Sequence, residues 1–264
     1  MSHGVSLPLD PQGPPVGEAP PVNEERLDRP GVPRRRRRVV RPREGVVRTQ
    51  PAEHAVRPHP SLPGTITRKL DKDEINGLPV RRWEGPVHLV RDTVGAADAV
   101  AALGRCPVLG FDTETKPVFR KGVVNRPALV QLASDSAVYL FQLPLLSGNY
   151  VPLVRLLEDV EVRKVGVGLD QDVAQLRELF PFEPRGFVDV GRVAQEVGME
   201  SRGLRSLAAC LFGFRVSKRA QCSNWEKDDL QPYQIQYAAT DAWVSREIYL
   251  KLLGVLGESF LAPA

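Results

Sequence analysis

The chain has 264 residues, 42% hydrophobic and 26% charged, with a formal net charge of +4; that length holds one ordinary domain with a sizeable core and some sequence to spare. No apolar run reaches the roughly 18 residues that span a bilayer, and the opening MSHGVSLPLDPQG carries neither an apolar signal stretch nor a basic amphipathic helix. The three cysteines, Cys106, Cys210 and Cys222, fit no zinc or CxxC spacing, so the expectation is a soluble cytoplasmic protein with reduced thiols and no membrane partner.

Residues 1–63 hold 13 of the 24 prolines, no aromatic residue, and 11 arginines against 7 acids. Such a stretch buries too little apolar surface to offset its ordering entropy, and it is expected to be a disordered Pro/Arg-rich arm. Within it, Arg34 to Arg38 form the run RRRRR, which suits a solvated charge run as well as it suits a functional role, either a sequence-independent phosphate contact or an address signal. Of the chain's 36 basic and 32 acidic residues, 25 of each lie beyond the arm, so the whole basic excess sits in it.

Residues 64–264 are expected to form the folded domain. DTVGAADAVAAL (92–103) has helical spacing behind an Asp92 N-cap, and PVLGFDTET reads as a strand. PALVQLAS and AVYLFQL, joined by Asp135 and Ser136, predict an antiparallel pair. Helix VPLVRLLED, strand KVGVGL, helix DVAQLRELF, strand GFVDV and helix GRVAQEVG follow, then helix LRSLAACLFG and a long helix from about Pro232 to Leu256. Three successive strands followed by alternating strands and helices imply an α/β domain with a mixed sheet flanked by helices.

Asp112 and Glu114 are two apart on a strand, so both project from one face at its end. Like charges at that separation repel and are costly to desolvate unless a cation neutralises them, and hard oxygen ligands favour Mg²⁺ or Mn²⁺. A polar strand end fraying into solvent explains the pair alone equally well. Further acids stand at a strand-to-helix junction, Asp170 and Asp172, and within an alanine-rich helix, Asp241, with Tyr237 one turn earlier on the same face.

The set FDTET, VGVGLDQD and YAATD, in that order, resembles the three motifs of the DEDD superfamily of 3′→5′ exonucleases. The likeness runs from about Gly104 to Leu256, takes in ALVQLAS, GLRSLAACLFG and QCSNWEKDDL, and is strongest to the ribonuclease D and Werner-type branch, whose fold is ribonuclease H-like. The resemblance implies metal ligands at Asp112, Glu114, Asp172 and Asp241, two divalent cations roughly 4 Å apart, and a nucleic-acid substrate with a free 3′ end. It favours Asp172 over Asp170, since Leu176 and Leu179 then set the helix's apolar face as in the family. It also implies that Tyr237 is the third-motif tyrosine of the DEDDy subtype, orienting the attacking water; all four histidines, His3, His54, His59 and His88, precede the first acid, which leaves none for the sibling subtype's base. Lys218, Arg219 and Asn224 fall in a segment that in the family lies near the nucleic-acid groove, while Trp225 reads as a packing residue and RKGVVNRPALVQLAS as a segment whose apolar residues could carry a 3′-end wedge. The chain lacks the helical C-terminal domains typical of ribonuclease D, which suggests a stand-alone exonuclease. The rival reading is a catalytically inactive nucleic-acid-binding module on the same fold.

Overall fold

The computed structural model describes residues 59–118, 122 and 124–257. The arginine run and nearly all of the expected arm lie outside the described residues, as do Arg120, Lys121 and Val123 of the candidate wedge segment. The described chain begins with His59, whose N–H bonds the Val197 carbonyl, and with Leu62, which is buried; ordered contacts thus start a few residues before Gly64.

Six strands form one sheet: β1 (Val87–Val90), β2 (Val108–Thr115), β3 (Pro127–Ala133), β4 (Val138–Gln142), β5 (Arg163–Gly166) and β6 (Phe187–Asp189). Their spatial order is β1-β4-β3-β2-β5-β6. β3 runs antiparallel to both its neighbours and every other pairing is parallel, which is the mixed sheet expected. The central strands are short apolar runs because both faces are covered; every residue of β3 is buried.

Helices α1 (Gly64–Thr67) and α2 (Lys72–Gly77) precede the sheet. On one face lie α3 (Thr93–Leu103), α4 (Val151–Glu158) and α5 (Leu169–Leu179), packed on Leu109 and Phe111 of β2 and Val130 and Leu132 of β3. The other face carries α6 (Val190–Glu196), α7 (Leu204–Phe212) and α8 (Pro232–Leu256), packed on Val108, Val165, Leu129 and Ala133. Strand alternation divides β2 accordingly: odd residues face α3 to α5, while Val108, Gly110, Asp112 and Glu114 face α8.

That α8 runs close to β2 is a matter of side-chain size. Ala238, Ala239 and Ala242 are fully buried on its sheet-facing side, and a Cβ placed on Gly110 would stand 1.9 Å from the Ala242 carbonyl oxygen. Only glycine admits the helix at this depth. Arg246 Nε then reaches the Val108 carbonyl at 3.2 Å and ties the helix to the strand.

β1 departs from the sequence expectation. VHLV is too short to show a period and carries a histidine, and its extended state comes from pairing with β4. No helix among the described residues is long and apolar enough to cross a membrane.

Candidate active site

β2 and α8 bring three of the four acids together. One carboxylate oxygen each from Asp112, Glu114 and Asp241 lie within 4.8 Å of one another. Glu114 is 8% exposed and Asp241 5%, and Asp241 Oδ1 is buried without a hydrogen-bond partner. Burial is the main force on these groups, and mutual repulsion adds to it. It holds Asp112 well above the carboxylate range, with Asp241 and Asp172 pushing the same way. Glu114, beside Asp112, is driven up to about 10. Burial takes Asp241 up to about 7 against the opposing hydrogen bond from Tyr237.

Asp172 arrives from the opposite layer. Thr113, which faces α5 between the two acids of β2, donates its hydroxyl to Asp172 Oδ1 at 2.5 Å. Burial raises Asp172 while that hydrogen bond opposes the rise. Asp170, two residues earlier, is exposed and turns away to pair with Arg192. Neither acid caps α5: the N-cap is Gly168, in the left-handed region at φ 75° that favours glycine, and Asp189 Oδ2 accepts from the N–H groups of Gly168 and Leu169. Asp189 Oδ1 caps α6 in turn, accepting from Gly191 and Arg192. One carboxylate therefore fixes the starts of two helices, including the one that carries Asp172.

Tyr237 lies one helical turn before Asp241 and backs onto the buried ring of Trp225, centroids 6.1 Å apart. Trp225 is 1% exposed, a packing residue as expected. Burial, and then the negative charge of Asp241, push the Tyr237 hydroxyl further above the ordinary tyrosine range, so it stays protonated and donates.

A cleft of about 370 Å³ opens over this cluster, lined by Asp112, Glu114, Asp241, Tyr237 and Lys218 among others. The other two residues expected at nucleic acid lie elsewhere. Arg219 faces an adjoining cleft. Asn224 is exposed and occupied locally: its Oδ1 accepts from the Glu226 N–H at 3.2 Å and its carbonyl from Gln234 Nε2 at 3.2 Å.

Sequence reasoning missed three contributors. Gly110 gave no signal beyond being small. Asp189 ends a strand run and opens a helix, a readable N-cap signal, but its second cap is tertiary. Gln131 pairs with Asp112 across the sheet, so it shares that face, and its side-chain amide is buried without a protein partner.

The donor set is all hard oxygen, gathered, buried and held above the range in which carboxylates ordinarily ionise. It fits a small divalent cation such as Mg²⁺ or Mn²⁺, whose charge would relieve the repulsion and occupy the unpartnered oxygen.

Residues 87–256 match a family profile described as 3′-5′ exonuclease. The bifunctional 3′-5′ exonuclease/ATP-dependent helicase WRN of Mus musculus is 36% identical over 157 residues, covering 58% of this chain and 11% of that protein. The exonuclease 3′-5′ domain-containing protein 2 of Homo sapiens is 36% identical over 159 residues, covering 56% and 25% respectively. The chain thus spans a quarter or less of these two relatives. Among solved structures, the Aedes aegypti Nibbler EXO domain superposes with a TM-score of 0.61 at 23% identity, covering 70% of this chain and 95% of that one, a likeness of fold. With its acids converging at the end of β2, the chain belongs to the 3′-5′ exonuclease family, in the branch of ribonuclease D and the Werner-type exonucleases.

Proposed function

We propose that the chain removes nucleotides from the 3′ end of DNA or RNA by hydrolysing phosphodiester bonds, using two divalent cations. The observation that carries this reading is the convergence of Asp112, Glu114 and Asp241 within 4.8 Å, with an oxygen of Asp241 unpartnered.

Asp112, Glu114 and Asp241 would hold the ions, with Asp172 completing the set from α5. When bound, Mg²⁺ or Mn²⁺ supplies water activation and stabilises charge on the scissile phosphate and the departing 3′ oxygen. The chain's own residues do the positioning. Thr113 fixes the rotamer of Asp172 through their hydrogen bond. Tyr237, kept protonated and hydrogen-bonded to Asp241, sets its hydroxyl where the attacking water would lie; its raised pKa favours orientation over proton removal. Lys218 lines the cleft as a counter-charge for the phosphate. All these groups sit on β2, α5, α8 and the α7–α8 connection, within a packed scaffold that limits their play.

Matched 3′-labelled and 5′-labelled DNA and RNA oligomers, incubated with Mg²⁺ or Mn²⁺, test the reading. Mononucleotides released from the 3′ end by the wild type, and none by Asp112→Asn or Asp241→Asn, are expected. Oligomers bound but left intact under every metal condition would point instead to an inactive binding module. Cleavage of a circular strand would make the enzyme an endonuclease.

A further inference from the structure

A second cleft, about 430 Å³, lies against the first, and Ser217 and Tyr237 line both. Its chemistry is the reverse of its neighbour's. Arg81, Arg82 and Arg219 line it and no aspartate or glutamate does. All three arginines are exposed, and among the described residues no carboxylate pairs with any of them. The Arg219 guanidinium lies 5.5 Å from the ring centroid of Tyr233, and Tyr233 remains 44% exposed. Three free guanidinium forks beside an accessible aromatic ring are the two halves of nucleotide recognition: bidentate donors for phosphate and a surface on which a base stacks whatever its identity. The volume lies within the roughly 300–1,000 Å³ of small-ligand sites.

We propose that this cleft binds a nucleotide unit of the unpaired substrate strand, the one adjoining the nucleotide held among the carboxylates; the inference rests on the exonuclease reading above. A strand whose terminal phosphodiester lies at Asp112 and Asp241 crosses the Tyr237 and Ser217 wall to reach it. The arrangement supplies basic anchorage beside the site, which matters because the folded body from residue 64 onward has no net basic excess. Anchorage then comes from Arg81, Arg82 and Arg219.

The double substitution Arg81→Ser/Arg82→Ser tests this, both side chains being exposed and outside the core. A fluorescent single-stranded oligomer, bound with Ca²⁺ in place of Mg²⁺, should lose about tenfold or more in affinity, with the slope of log affinity against log salt shallower by about 0.7 per lost phosphate contact. KM for the oligomer should rise in step, while turnover of thymidine 5′-monophosphate p-nitrophenyl ester, too small to reach the second cleft, stays at the wild-type value. Tyr233→Leu should weaken the oligomer and Tyr233→Phe should not. Unchanged oligomer affinity and salt slope in the double variant would overturn the proposal. So would weaker inhibition by free thymidine 5′-monophosphate with unchanged oligomer binding, which would make the cleft a product site. If the wild type cleaves neither ester nor oligomer, the catalytic reading fails; loss of oligomer affinity in the double variant would still support the cleft, and its retention would overturn it.

Discussion

On the proposed mechanism Tyr237 acts through one hydroxyl, while its ring packs on Trp225. Tyr237→Phe keeps that packing, and single-turnover rates should fall by roughly 10²-fold with little change in KM, while the denaturant midpoint shifts by no more than about 1 kcal/mol allows. Near-normal rates with lowered stability would reduce Tyr237 to a core residue. The two acids of α5 should also separate: Asp172→Asn is expected to be severe, since it alters the partner of Thr113, and Asp170→Asn mild, since it breaks only an exposed ion pair. Asp241 gives a pH signature. Its folded pKa of about 7 lies above the unfolded value of about 3.9, so the ion-free fold gains stability below that lower value and loses it as pH rises through 7. Thermal melts in EDTA should therefore fall from pH 5 to pH 8, and Asp241→Asn should flatten the slope. A rising or level trend in the wild type would contradict the assignment. The sequence made these acids legible because motif spacing is local; it could not show that Thr113 would bind Asp172, since that hydrogen bond joins different layers.

Gly110 governs how the elements meet. A methyl group there collides with the backbone oxygen of Ala242, so no rotamer change relieves it and α8 has to move. Gly110→Ala should cost about 1–3 kcal/mol of stability by overpacking. It should also depress the rate at saturating Mg²⁺ by separating Asp241 from Asp112 and Glu114. Denaturant titration and turnover on the same preparation check both; a stable, fully active variant would show that α8 tolerates displacement. Most elements were legible from apolar runs between turn residues, and α8 from its length. β1 was not, because four residues with an exposed histidine among them owe their extension to β4. Nor was the real cap of α5: the nearest acid in sequence, Asp170, turns outward, and Asp189 does the work from β6.

For the whole molecule, charge is unevenly placed: the 25 acids and 25 bases beyond residue 63 cancel, and the arginine excess lies before them. Removing residues 1–58, short of the ordered contacts at His59 and Leu62, should leave ester turnover intact and make oligomer binding less salt-dependent, by about 0.7 in the log–log slope for each lost phosphate contact. An unchanged slope would remove the arm from substrate binding. Class of fold and mixed sheet could be read from element order, whereas the meeting of Arg81 and Arg82 with Arg219 could not, since each is unremarkable in its own segment. The Thr113 contact to Asp172 carries a last consequence. β2 offers two acids to one helical layer and, through the residue between them, a hand to the other, so the four carboxylates coexist only when both layers have docked. A chain emerging from synthesis with α3 to α5 in place but α8 still to come lacks Asp241 and Tyr237, and one missing α5 lacks Asp172. On the proposed function, nuclease activity would appear only once α8 has closed on β2, and would report completion of the described fold.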